Sequence, residues 1–219
     1  MVSIRNCYRL RFDQKEIESR GRLWQILCED FLQKFIKKED IVMDIGAGYC
    51  EFLNNISCKK KIAVDINPDT SEFANKDVVV LKVRVNAIPK KFDGKVNVIF
   101  MSNFLEHLDS REEVLMVLNR ANHILKKDGK LILIQPNIDL VKNSYWDFMD
   151  HKVVLNTRSI KEALDITGFN VEIFTKRFLP YTTKRNYVPM RHLLLKLYLK
   201  FPPFLRPYVG ESFVVARKK

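Results

Sequence analysis

Seven short runs rich in Val, Ile and Leu, separated by stretches of helical periodicity, constrain the fold of this chain more than any other feature. They are Ile41–Ile45, Lys61–Asp65, Val78–Val83, Val96–Met101, Lys130–Gln135, Asn170–Arg177 and Ser212–Arg217. Several are apolar on nearly every residue, which suits strands covered on both faces, and strands alternating with helices build a mostly parallel sheet. Ser110-Arg111-Glu112-Glu113 has capping-box spacing and opens a helix through Val114, Leu115, Val117, Leu118, Ala121 and Leu125, stopped at Lys126–Gly129. Ser159–Glu162 is expected to open a second helix ended by Gly168. Glu16–Lys38 has an amphipathic pattern with Leu23, Ile26, Leu27, Phe31 and Phe35 on one face. The 219 residues can bury one sizeable core, so a single domain over 1–219 is expected, with an N-terminal helical segment 1–40 and an insertion at about 183–208.

The first run ends in Gly46-Ala47-Gly48-Tyr49-Cys50-Glu51. Glycines one residue apart after a strand let backbone approach a ligand. A dinucleotide fingerprint needs Gly or Ala where Glu51 stands, and a carboxylate beside a pyrophosphate is electrostatically unfavourable. A ligand without phosphate at this turn is therefore expected. The next run closes on Asp65, twenty-one residues after Asp44, where an acid can accept both hydroxyls of a ribose. An acidic glycine turn and a ribose-binding acid suit a nucleoside with a cationic end, and S-adenosylmethionine is such a ligand.

On Asp44-Ile45-Gly46-Ala47-Gly48 and Asp65, the chain resembles the class I S-adenosylmethionine-dependent methyltransferases. The resemblance implies a Rossmann-like fold with seven strands, mostly parallel with the last antiparallel, and helices on both faces. It implies that Asp44, Gly46, Ala47 and Gly48 line the methionine part of the cofactor, that Asp65 holds the ribose and that Ile66 lies against the adenine. Asn86-Ala87 stands where the family often has Asp-Ala, keeping an acceptor for the adenine amine but losing its charge. Asn103, in Ser102–Leu108 after the fourth strand, falls next to the transferred methyl, and Leu125–Ile134 matches the stretch leading into the fifth strand. Cys50 stands where the family often has Gly or another small residue.

Methyl transfer from a sulfonium is an in-line displacement, so a protein has to position the acceptor and, for oxygen, help remove its proton. Imidazole is the side chain that exchanges protons in the neutral range, and His107 lies close to the expected methyl position, which makes Glu106-His107 a candidate acid–base pair. His151, after the fifth strand in Tyr145–His151, joins them. Enzymes that methylate the terminal 2′-hydroxyl of small RNAs resemble this arrangement and bind a metal through Glu-x-x-Glu-His and a later His. Asn103 replaces the first Glu here, so Glu106, His107 and His151 remain as three donors for a divalent ion. The lost carboxylate argues against one, and no metal ligand is assigned.

Charge is uneven. The net formal charge is +12, and the stretch from Lys176 to Lys219 has eleven Lys or Arg against one acid, Glu211. Five of the eight prolines fall between Pro180 and Pro207, around the basic, apolar segment Met190–Phe204. Such a segment suits an anionic membrane surface or a lipid-linked carrier, with RNA phosphates as the alternative partner. The stretch from Trp146 to Tyr181, closing with Phe213–Lys218, looks like bacterial methyltransferases associated with cell-surface glycan assembly. The expected activity is O-methylation of a small-molecule, glycan or lipid-linked acceptor, with terminal ribose or base methylation of RNA as the alternative. Four cysteines without a CxxC pair, no apolar core of signal-peptide length near Met1 and no membrane-spanning run predict a cytoplasmic setting, peripheral at the membrane.

Overall fold

In a computed structural model that describes residues 14–181 and 192–219, the seven apolar runs become one seven-stranded sheet. The strands are β1 (Ile41–Ile45), β2 (Lys60–Val64), β3 (Val78–Leu81), β4 (Val96–Ser102), β5 (Leu125–Pro136), β6 (Phe169–Pro180) and β7 (Val209–Lys218). Their order is β3-β2-β1-β4-β5-β7-β6. The first five pair in parallel, while β7 runs antiparallel between β5 and β6. The expected fold class is observed, including the antiparallel last strand. β1 leads to β2 on one side and β4 to β5 on the other, which opens a crevice at the carboxyl ends of β1 and β4.

The pleat explains why the strands are apolar on successive residues. Met43, Ile99, Met101, Leu131, Leu133 and Val214 enter one core cluster. Their neighbours Val42, Val98, Phe100, Ile132, Ile134 and Phe213 enter another, so each strand feeds a core on each face. The first face is covered by Val114, Val117, Leu118 and Ala121 of a helix at Arg111–Ile124 and by Ile160 and Leu164 of one at Thr157–Ile166. The second is covered by Trp24, Leu27 and Cys28 of helix α1 (Gln14–Asp30), by Phe52 and Leu53 of α2 (Glu51–Asn55) and by Leu195 and Tyr198 of a helix at His192–Lys200. In chain order the remaining helices are α3 (Thr70–Phe73), α4 (Arg111–Ile124), α5 (Ile138–Val141), α6 (Thr157–Ile166) and α7 (His192–Lys200).

Several expectations shift by local chemistry. Ser159 does not begin its helix: Asn156 is the N-cap, its side chain accepting from the Arg158 and Ser159 amides, and Ser159 sits at N3 closing the box from the other side. Ser110 does cap α4, accepting from the Glu113 amide at 3.2 Å. The pattern Glu16–Lys38 is not one helix, because α1 stops at Asp30 and Leu32–Phe35 forms a 3-10 turn under Phe178 and Phe213. Lys126–Gly129 lies inside β5, with Asp128 in a left-handed conformation, instead of forming a loop before it. Within the expected insertion the described part is α7 and a 3-10 turn at Pro203–Leu205, and 183–191 lies outside the described residues, as does 1–13 of the N-terminal segment.

Candidate functional site

The glycine turn leaves β1 at the crevice. Gly46 has φ +78°, and a Cβ added there would meet the Phe104 ring at 2.5 Å, so a larger residue would be excluded twice. The Gly46 amide donates to the Val64 carbonyl at 2.9 Å, tying the turn to β2. The Gly48 amide donates to Asp65 Oδ2 at 2.7 Å, and the Asn67 amide donates to Asp65 Oδ1 at 2.7 Å. One carboxylate thus braces both the turn after β1 and the turn after β2. Cys50, the N-cap of α2, holds the left-handed region at φ 59° without a glycine, with its thiol buried and directed at the Thr70 carbonyl.

The turn is acidic. Asp44 is buried at the end of β1, and burial, then the Asp65 and Glu51 carboxylates, push its pKa well above the usual carboxylate range. Burial also raises Asp65, and the amides of Asn67 and Gly48 partly offset it. Glu51 is ion-paired to Arg20 of α1 at 2.8 Å, so Asp44 and Asp65 carry more of the case against a phosphate than Glu51 does. Buried carboxylates of this kind suit a cationic group, whose approach returns the lost solvation. Ile66 is exposed beside Asp65 and offers an apolar surface; Ala47 and Gly48 are buried in the turn; Asn86 and Ala87 lie exposed in a 3-10 turn at Val85–Ala87.

Across the crevice, the residues after β4 and β5 converge. Glu106 and His107 sit in a 3-10 turn at Leu105–His107. Ligand atoms of Glu106, His107 and His151 all lie within 4.8 Å of one another. Glu106 is buried; its Oε2 accepts from Gln135 Nε2 at 2.8 Å, while its Oε1 accepts no hydrogen bond among the described residues and lies 3.8 Å from His107 Nε2. Burial raises the Glu106 pKa, with His107 acting in the opposite sense. His107 Nδ1 lies 3.2 Å from the Asp150 carbonyl and 3.3 Å from its Oδ2. Amides of Lys152 and Val153 donate to the Glu106 carbonyl, which pins the loop carrying His151 to the loop carrying His107. Tyr145, Phe148 and Tyr181 surround His151. Gly210 is required there, because a Cβ would meet Tyr181 at 2.3 Å.

Glu211 is the residue that sequence reading missed. It stands at the start of β7, opposite Pro136, and accepts from the Asn103 side chain at 3.0 Å. Asn103, expected at the cofactor, donates its side-chain amide to Glu211, and its backbone amide donates to the Ile134 carbonyl at 2.9 Å, in a left-handed conformation at φ 47°. Burial first, and Glu106 second, push Glu211 up to about 8 against the opposing Asn103 hydrogen bond. A carboxyl raised on folding stabilises the fold fully below its unfolded value near 4.5 and loses that contribution as pH rises through about 8. At roughly 1.4 kcal/mol per unit, the loss is on the order of several kcal/mol. Without cofactor, Glu211→Gln is therefore expected to shrink the fall in Tm between pH 5 and pH 8.5, read by calorimetry; an unchanged pH profile would refute the assignment.

Comparisons with known proteins bear on the fold and the family. A family model for a methyltransferase domain matches residues 18–172. An uncharacterised protein of Methanocaldococcus jannaschii is 33% identical over 144 residues, which span 64% of this chain and 60% of that relative. Two solved S-adenosylmethionine-dependent methyltransferases share the fold. The one from Archaeoglobus fulgidus has a TM-score of 0.63 at 20% identity, covering 90% of this chain and 94% of that one. The one from Thermotoga maritima has a TM-score of 0.63 at 19% identity, covering 94% of each chain. The acidic, phosphate-averse turn fits S-adenosylmethionine, and the chain belongs to the methyltransferase domain family that uses this cofactor.

Proposed function

We propose that the chain transfers a methyl group to a hydroxyl of a small-molecule, glycan or lipid-linked acceptor. The observation that carries this reading is the cluster of one buried carboxylate and two imidazoles on the segments that follow β4 and β5, at the carboxyl edge of the sheet where the glycine turn leaves β1. The cofactor supplies a methyl group made electrophilic by its sulfonium. Asp65 and Ile66 would hold the nucleoside, and Asp44, Gly46, Ala47 and Gly48 the cationic amino-acid end. Asn86 and Ala87 would border the adenine. During transfer of that methyl from sulfur to the acceptor oxygen, the hydroxyl proton would pass to His107. Donation from His107 Nδ1 to the Asp150 carbonyl leaves Nε2 as the base, and the Asp150 carboxylate steadies the imidazolium that forms. Glu106 and His151 orient the oxygen, and Asn103 with Glu211 closes the wall beside it.

The same atoms form a donor set suited to a divalent ion, but the proton-transfer reading requires none. Transfer of radiolabelled methyl from S-adenosylmethionine to glycan, lipid and RNA fractions tests the acceptor class. Label in glycan or lipid supports the proposal; label confined to RNA would replace it with the ribose or base reading. Activity is expected to survive excess EDTA. Loss with EDTA and recovery with Mg²⁺ or Mn²⁺ would make the cluster a metal centre and displace His107 as the base.

A further inference from the structure

Helix α7 and the turn after it divide their surface three ways. Leu195 and Tyr198 are buried against the core beside α1. Leu194, Leu197 and Phe201, spaced three and four apart, form a separate stripe that faces solvent, prolonged by Phe204 and Leu205. Lys196 and Lys200, four apart, flank that stripe on the remaining side. Phe204 is 73% exposed and Tyr208 65% exposed, values that a packed hydrophobic residue does not show.

These side chains are presented by a braced structure. Arg206 is buried under the patch, and its guanidinium donates to the carbonyls of Leu199, Phe201 and Phe178 at 2.9, 3.1 and 3.2 Å. That arrangement satisfies carbonyls at the end of α7 with a cation, as the helix dipole favours, and ties the turn to β6. Arg177 donates to the Arg206 carbonyl at 2.7 Å, and the Tyr198 hydroxyl to the Pro207 carbonyl at 3.1 Å. Lys34, on the adjoining 3-10 turn, adds a further cation beside Arg206; its pKa is lowered first by partial desolvation and then by the Arg206 charge. Lys196 shares Asp30 at 3.2 Å, and no acid lies between His192 and Gly210.

We propose that this face is an interfacial docking surface for an anionic lipid bilayer. Leu194, Leu197, Phe201, Phe204 and Leu205 would enter the headgroup and acyl boundary while Lys34, Lys196 and Lys200 meet lipid phosphates. The charge complementarity selects an anionic surface, and the apolar stripe requires one that can accept side chains into a nonpolar layer, which RNA phosphates cannot offer. No helix among the described residues is long and apolar enough to cross a membrane, so the contact is peripheral. This inference does not rest on the acceptor: a soluble acceptor would leave it intact, and failed docking would leave hydroxyl methylation intact.

Flotation of the full chain with phosphatidylcholine vesicles, with and without phosphatidylserine, tests it. Binding to the anionic vesicles is expected, weakening in 1 M salt, where the screening length is ~3 Å. Phe201→Ser with Phe204→Ser is expected to lower vesicle affinity by roughly tenfold or more. Lys200→Glu should weaken binding to anionic vesicles while leaving the apolar stripe in place. S-adenosylmethionine affinity should be unchanged in each variant, which verifies folding. The proposal is overturned if the unaltered chain ignores anionic vesicles, or if the double serine variant binds them equally well. It is also overturned if the variants only abolish a dimer seen by light scattering, which would assign the face to a second copy of this chain.

Discussion

Asp65→Ala is expected to lower S-adenosylmethionine affinity by roughly 100-fold, measured by isothermal calorimetry. The carboxylate does two jobs. It accepts the Gly48 and Asn67 amides at 2.7 Å each, holding the turns after β1 and β2 together, and in the proposed cofactor site it would also receive the ribose hydroxyls. Charge-assisted hydrogen bonds contribute about 1.5–3 kcal/mol each, and each 1.4 kcal/mol is tenfold, so losing their combined effect gives about two decades even after partial relaxation. Asp65→Asn keeps one acceptor oxygen and should fall between. Equal affinity in the unaltered chain and the alanine variant would remove the nucleoside from this position.

His107→Ala is expected to reduce kcat by about 10²–10⁴ with cofactor affinity preserved, the range that general-base catalysis contributes. The separation is built into the fold: His107 faces Glu106 and Asp150 after β4, while the brace of the cofactor turn lies on Asp65 after β2. Single-turnover methyl transfer to a hydroxyl acceptor measures the effect, and added imidazole should restore part of the rate by entering the space left behind. A variant with unchanged kcat would show that the histidine only packs the loop, and a variant that loses cofactor binding as well would show a structural defect.

The sheet was legible from the chain because buried strands leave a period-free apolar signature that survives any change of neighbours. The glycine turn was legible because Gly46 serves a backbone need, φ +78°, that few other residues meet. The ends of elements were less legible. Ser159 and Asn156 both carry cap-competent side chains, and the choice between them was made by which backbone entered the helix first. The helical pattern past Asp30 broke because Phe31 was drawn under Phe178 and Phe35 under Phe213, aromatics 147 and 178 residues away in the chain. Glu211 carried no local sign at all: a lone acid in a basic tail looks like a surface charge.

By itself, then, the sequence determined the doubly wound sheet, the acidic glycine turn and the pairing of Glu106 with His107, while the bracing of that turn by Asp65 came from the tertiary structure. Each of the first three depends on backbone conformation, on apolar patterning or on residues close together in the chain. Only the tertiary structure decided that Glu211 joins Asn103 and Glu106, that Arg20 shares Glu51, and that one face of α7 is left bare beside its lysines. The physical reason is the reversal of β7. An antiparallel strand inserted between β5 and β6 brings its first residues to the carboxyl edge of the sheet, where the other strands end, and a residue's charge acquires chemical meaning only from what that crossing places around it.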